Sequence, residues 1–424
     1  MAMLWCRYHK CKSLIYPNVN PLTKENSEFS PYLCCSSTFF MFRIIFLLLF
    51  TNQLVAQIST YEVSARNVLK EYIIKDASIA LNEFPVTITS FTSPRSAGGK
   101  HDFFSEGDYW WPDPQNPNGP YIQKDGLTNP DNFVAHRKAM IQFSRIMGAL
   151  ASAYIITKDE VYAKQAFRHA HAWLIDTATR MNPHMLYAQA IHGRFTGRGI
   201  GIIDMIQFME VAQSLLVLEK SKYANKKEYA AYRKWFDQYL NWVTTHQYGI
   251  DEKNALNNHG TCWTMQVAAF ALFTKNNALL DSCRNRYKYN HLPQQMDSLG
   301  GFPRELARTK PYGYSLFNLD AMSMLCQILS AEKDNLWEYK TQDGRSINKG
   351  ISFLYPYVLN KDSWPFKQDV MYWSEWPKAQ PFLLFGAKAL HLEEYFKLWE
   401  ALDHNPTTEE IIRNLPVRYP LIWF

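Results

Sequence analysis

The sequence predicts an all-α fold, an α/α toroid. It would be an incomplete barrel of about six to seven helical hairpins, with long loops forming a substrate groove. Three observations lead there. From Tyr61 on, apolar residues recur at three- and four-residue steps; the helical stretches are joined by very short polar turns; few segments alternate with period two. Helices so apolar, joined so tightly, pack as antiparallel neighbours, and a long series of such hairpins closes into a toroid or a solenoid. No strict sequence period is present, which favours the toroid.

The elements follow in order. Residues 1–40 are irregular, with Cys6, Cys11, Cys34 and Cys35 clustered, and read as a segment upstream of the true start at Met41. "MFRIIFLLLFTNQLVA" over 41–56 has one positive charge, an apolar run and a small-residue site, the layout of a secretory signal peptide. Its apolar run is too short for a stable membrane span. Export to the periplasm or the medium is therefore expected, with residues 57–424 as a single domain. "YEVSARNVLKEYIIKDASIALNEF" reads as an amphipathic helix. Helix–turn–helix patterns then recur around Lys158-Asp159, Lys275-Asn276, Lys333-Asp334 and His391. Three long stretches interrupt them, 98–132, 180–201 and 298–318, rich in Gly, Pro and aromatics. Long ordered loops on a compact scaffold usually carry function.

Composition excludes several classes. Residues 1–56 carry 5 of the 45 basic and 2 of the 39 acidic side chains, leaving 40 against 37, a mild +3. Nucleic acid is not an expected partner; an anionic ligand suits a focused positive cleft. Cys262, Cys283 and Cys326 are too few and odd in number for a disulfide framework. There is no HExxH helix, Cys-Cys metal spacing, Walker loop or GxSxG elbow. His169 and His171, two apart, point to different sides of a helix, so no metal or cofactor is expected.

The candidate site residues lie in four stretches. In "DYWWPDP", Tyr109, Trp110 and Trp111 form a flat aromatic platform suited to a sugar ring, or else cap the core. The loop over 180–201 adds Tyr187, Gln189, His192, Arg194 and Arg198, polar groups suited to hydroxyls and carboxylates. In "NNHGTCW", Asn257, Asn258 and His259 sit at a helix start, where free N–H groups favour a carboxylate; Trp263 shares the His259 face. One Asn is enough for an N-cap, which leaves the second Asn and the His. In "FPRELARTKPYGYS", Arg304 and Arg308 read as a carboxylate clamp beside Tyr312 and Tyr314. Asp108, Asp113 and Glu305 keep open a hydrolytic carboxylate pair.

Together, "YWWPDP", "MNPHMLYAQAIHGRFTGRGIGIID", "NNHGTCW" and "ELARTKPYGYSLFNL" resemble the alginate lyase superfamily of α/α-toroid polysaccharide lyases. The resemblance runs from the Tyr109 loop to about Asp320. It implies that Asn258 and His259 match the family's Asn-His pair and that Arg308 and Tyr314 match its Arg…Tyr pair. The chain departs in having Tyr314-Ser315 where better-known members have Tyr-His, and in a spacing from Arg to Tyr one residue shorter. The "YWWPDP" loop looks more like a branch that includes glucuronan lyases, so the uronate remains open.

The implied chemistry is β-elimination in a uronic acid polymer, with no metal. The C5 proton leaves, the C4 oxygen is expelled, and the adjacent carboxylate must be neutralised as charge builds on it. Asn258, His259 and Arg308 would neutralise. Tyr314 would act as base and acid in a syn elimination, its pKa of about 10 lowered by Arg308; His259 would serve as base in an anti elimination. A non-catalytic glycan-binding protein of the envelope, or an α/α-toroid glycoside hydrolase, would use many of the same residues.

Overall fold

The structure is a computed structural model, and it describes residues 60–424. The expected upstream segment and signal peptide lie outside the described residues. A helix over residues 60–80 (α1) opens the fold. Its stripe of Ala65, Leu69, Ile73 and Ala77 is buried, as four-residue spacing dictates. There follow the short strands β1 (Phe104–Glu106), β2 (Trp110–Trp111) and β3 (Ile122–Gln123), then α2 (Ala135–Thr157), α3 (Glu160–Leu174) and β4 (Tyr187–Ala190). The chain continues through α4 (Phe208–Leu218), α5 (Lys226–Thr245), α6 (Gln247–Lys253), α7 (Asn258–Thr274) and α8 (Asn277–Arg286). The remaining helices are α9 (Leu292–Gln295), α10 (Pro303–Leu306), α11 (Pro311–Leu329), α12 (Ile347–Leu359), α13 (Pro381–Leu390), α14 (Glu393–Ala401) and α15 (Glu409–Arg413).

Helices α2, α4, α7, α11 and α13 pack successively along one another and form the inner arc. Each carries an outer partner: α3 lies on α2, α5 on α4 and α7, α8 on α7, α12 on α11, and α14 on α13. Composition sorts the two layers. In α7 and α11 nearly every residue is buried, whereas α5 buries only one face, from Tyr229 to Val243, and leaves its charges in water. Among the described residues this makes five inner–outer sets plus α1, slightly below the six to seven hairpins expected. The difference arises at Lys333-Asp334, where α11 ends at Leu329 and residues 331–334 form an isolated bridge, not a second helix.

The other tight turns follow one device. Lys158, Lys275 and His391 end α2, α7 and α13 in left-handed conformations, and Asp159 and Asn276 then cap the next helix with their side chains. The C-terminal segment returns across the arc. Tyr419 lies so close to α2 that a Cβ on Gly148 would fall 2.3 Å from its ring. The strands form two small pairs, β1 parallel to β4 and β2 antiparallel to β3. They brace the loops at the cleft. Helix α2 is apolar and long enough to cross a membrane, but it is largely buried inside the arc. Cys262, Cys283 and Cys326 are free and buried.

Candidate active site

Helices α7 and α11 are neighbours in the inner arc and bring their first turns to one cleft. Asn257, Asn258 and His259 come from the start of α7; Tyr314 comes from the first turn of α11, and Arg308 from the segment just before it. Loops and strands complete the walls with Tyr109, Trp110, Gln189 and Arg198. Nine of the residues singled out in the sequence thus meet around one space.

The start of α7 is not vacant. The backbone N–H of Asn258 donates to Glu305 at 2.6 Å and its side-chain amide donates to the other carboxylate oxygen at 2.7 Å. Glu305 therefore caps the helix, while Asn257, in the N-cap position, makes no capping bond with its side chain. Burial pushes Glu305 upward, and the two bonds from Asn258 oppose that shift. The amide has two N–H donors; fixing one on Glu305 orients the other. His259 donates Nδ1–H to Glu252 at 2.7 Å, so Nε2 is the ring nitrogen left for a ligand.

The phenol of Tyr314 lies 2.7 Å from that of Tyr109, and the Arg308 guanidinium sits 4.7 Å from the Tyr314 ring centre. Burial pushes the Tyr314 phenol well above its ordinary value, against the lowering by Arg308 and by the Tyr109 hydrogen bond. The expectation that Arg308 leaves Tyr314 with a depressed pKa is therefore corrected for the free protein. Removal from water outweighs the cation, which is itself paired with Asp125 at 2.9 Å. Arg198 stands differently. Among the described residues it forms no ion pair; it donates to the Gln189 carbonyl at 2.8 Å and lies over the Trp110 ring. Burial pushes it down to about 10, so it stays charged at neutral pH. Gln189 holds it from a left-handed backbone, φ 48°, costly for a residue with a Cβ.

Seven of the residues singled out for catalysis or binding lie outside the cleft lining, among them Arg194, which donates to the Tyr121 carbonyl and lies over the Trp110 ring. Trp111 follows Trp110 on β2, and successive strand residues face opposite ways; its indole N–H donates to Leu127 and Lys124 covers its ring. Tyr312 is two residues from Tyr314, about 200° around the helix; it is fully buried, donates to the Tyr357 carbonyl and packs edge-on against Trp364. Trp263 is one turn deeper than His259, where α7 is already enclosed; its N–H donates to Val243. Arg304 is exposed on α10, so the expected clamp with Arg308 does not form. His192 is exposed beside Tyr121, and Tyr187 pairs with β1. The stretch 298–318 is not all loop, since α11 starts at Pro311.

Several functional neighbours escaped the sequence reading. Glu252 and Asp125 orient His259 and Arg308, and Lys310, Glu410 and Arg413 surround Tyr109. Only Lys310 had a local signal, next to Pro311 in a motif already quoted. The carboxylates that kept a hydrolase open are committed elsewhere. Asp108 is clasped by Arg137 and Arg413, which hold it well below the usual range although burial alone would raise it. Asp113 closes a turn by accepting from the Gln115 N–H, and Glu305 caps α7.

The alginate lyase family model matches residues 87–364. Among curated proteins no relative matches. Among solved structures, an alginate lyase from Bacteroides ovatus is 31% identical, with a TM-score of 0.75, and the match covers 87% of this chain and 97% of that one. Alginate lyase A1-III from Sphingomonas species A1 shares the fold at 13% identity and a TM-score of 0.51, covering 83% of this chain and 94% of its own. A variant of A1-III complexed with a tetrasaccharide aligns at 13% identity and a TM-score of 0.53, over the same shares. By the extent of the family match and the identity with the Bacteroides ovatus structure, this chain belongs to the alginate lyase family and is a polysaccharide lyase.

Proposed function

We infer that this lyase cleaves a polyuronate of the alginate or glucuronan type by β-elimination in the cleft, with protein side chains and no metal neutralising the uronate. The observation that carries the reading is the convergence of Tyr314, Arg308, Asn258 and His259 on one space from two adjacent inner helices. An anionic polysaccharide suits the unpaired cation of Arg198, and the Trp110 face offers a surface for a sugar ring. The tetrasaccharide seen on A1-III is a precedent for a chain-like ligand on this fold.

In this reading the uronate carboxylate takes donors from Asn258, His259 and an arginine, which hold the charge that develops when C5 loses its proton. Tyr314, as phenolate, takes the C5 proton. The electron pair of that C–H bond becomes the C4=C5 double bond. The C4–O bond breaks with its electrons on oxygen, and the Tyr314 phenol returns the proton to it. Among the described residues, the carboxylates that line the cleft, Asp108, Asp125 and Asp204, are each paired with an arginine, which favours elimination over the glycosidase alternative.

A screen of alginate blocks, glucuronan and glycosaminoglycans for near-ultraviolet absorbance tests the class and finds the sugar. A lyase leaves unsaturated uronosyl ends that absorb there, a hydrolase leaves none, and a binder leaves the polymer intact. The same assay after exhaustive chelation should keep its rate. Turnover abolished by the chelator and restored by one divalent ion would show that the neutraliser has been misassigned.

A further inference from the structure

We propose that Tyr109 and Lys310 are positioning residues that hold Tyr314 in its proton-accepting form, and that Glu410 opposes them. The inference rests on the reading of Tyr314 as the acid–base residue. Lys310 and Glu410 are almost fully buried, and they pair at 2.8 Å. The Lys310 ammonium also reaches the Tyr109 oxygen at 3.3 Å. An ammonium can only donate, so Tyr109 accepts from it, and the Tyr109 hydrogen is left to go elsewhere. Two acceptors compete for it: the Tyr314 oxygen at 2.7 Å and a Glu410 oxygen at 3.4 Å. The nearer one takes the better bond.

The result is a directed chain, Lys310 N–H to Tyr109 O–H to Tyr314 O, in which each bond polarises the next. Its far end is a cation and its near end is the oxygen that must become an anion. During elimination that oxygen takes the C5 proton and gives it to the leaving C4 oxygen. It ends as the anion again, so Tyr109 and Lys310 exchange no proton and act only by holding the charge. The charged groups facing Tyr314 and Tyr109 are Arg308 over the Tyr314 ring, Lys310 over the Tyr109 ring, Glu410, and Arg413, which is paired with Asp108. Glu410 acts in the other sense. It raises the energy of the Tyr314 anion and competes for the Tyr109 hydrogen.

The test is kcat/KM against pH for the full chain on its best polyuronate. The rising acid limb should move up by about one to two pH units in Tyr109→Phe and Lys310→Met, as expected for a lost hydrogen bond to an anion. Lys310→Arg should restore it, and Glu410→Gln should move it the other way. Tyr109→Phe keeps the ring and removes one oxygen, so a folded variant is available. A purely structural role would lower the rate without moving the limb. Limbs unmoved in both Tyr109→Phe and Lys310→Met overturn the proposal while the acid–base reading stands. Substantial turnover in Tyr314→Phe removes that reading and the proposal with it.

Discussion

Tyr314 and Trp110 face the same cleft and should fail in different ways when changed. The Tyr314 hydroxyl acts on protons only during elimination, so Tyr314→Phe should lower kcat by about 10²–10⁴-fold and leave oligosaccharide affinity within a few-fold. Asn258→Ala removes a donor to the charge that develops on the uronate and should cost about 10²–10³-fold in kcat. It also loosens Glu305 at the start of α7, which keeps the backbone N–H of residue 258 but loses the side-chain amide. Trp110→Ala should instead raise KM with kcat little changed, since a stacked ring helps ground state and transition state alike. Steady-state absorbance kinetics with calorimetric binding separate the three. Retention of more than about a tenth of turnover in Tyr314→Phe would move the acid–base role to His259, whose Nε2 is the other free proton acceptor at α7. Residue types were legible at this scale and directions were not. Trp110 and Trp111 are indistinguishable in sequence, as are Tyr312 and Tyr314, yet strand alternation and helical rotation send one of each pair into the cleft and the other away.

Among elements, the helix starts and the short α15 decide the site. Carboxylates far along the chain cap both inner helices: Glu305 accepts from the start of α7, and Asp369 accepts from Tyr312 and Gly313 at the start of α11. Burial lifts Asp369 to about 6. Helix α15 is fastened over the cleft by Arg413 on Asp108 at 2.5 Å, with Arg137 on the other side of the same carboxylate. This cluster is almost fully buried, so Asp108→Asn leaves two guanidiniums short of charge. A loss of about 3–5 kcal/mol in denaturant unfolding is expected; a change within about 0.5 kcal/mol, the range of an ordinary surface substitution, would contradict the role given to α15. The sign with pH follows from the depressed Asp108. Its contribution is complete above the unfolded carboxylate value of about 3.9 and is lost as pH falls toward the folded one.

Across the whole molecule, acid should loosen the arc through buried neutral histidines. His291 accepts at Nδ1 from the Gln295 side-chain amide at 3.0 Å and donates Nε2–H to the Thr264 hydroxyl at 2.7 Å, tying the segment around α9 to α7. Burial pushes it down to about 3. His169, bonded to the Glu83 carbonyl and Gln165, is pushed down to about 4 by burial. Both lie below the unfolded value of about 6.5, so their stabilising effect is complete above that pH and is lost as pH falls through the folded values. The melting temperature should therefore drop between about pH 6.5 and 3, and His291→Gln should flatten that drop. An equal slope in the variant would mean that His291 does not carry it. What the sequence by itself determined is the architecture: helix period, turn chemistry and all-round burial are properties of neighbouring residues, and they place α2/α3, α7/α8 and α13/α14 correctly. The motifs at Asn258-His259 and Arg308…Tyr314 were also visible, because each lies within a few residues. The tertiary structure alone decided the rest. Tyr109 meets Tyr314 across 205 positions and Glu410 across 301, and side chains that far apart in sequence are brought together by helix packing, which leaves no local pattern to read.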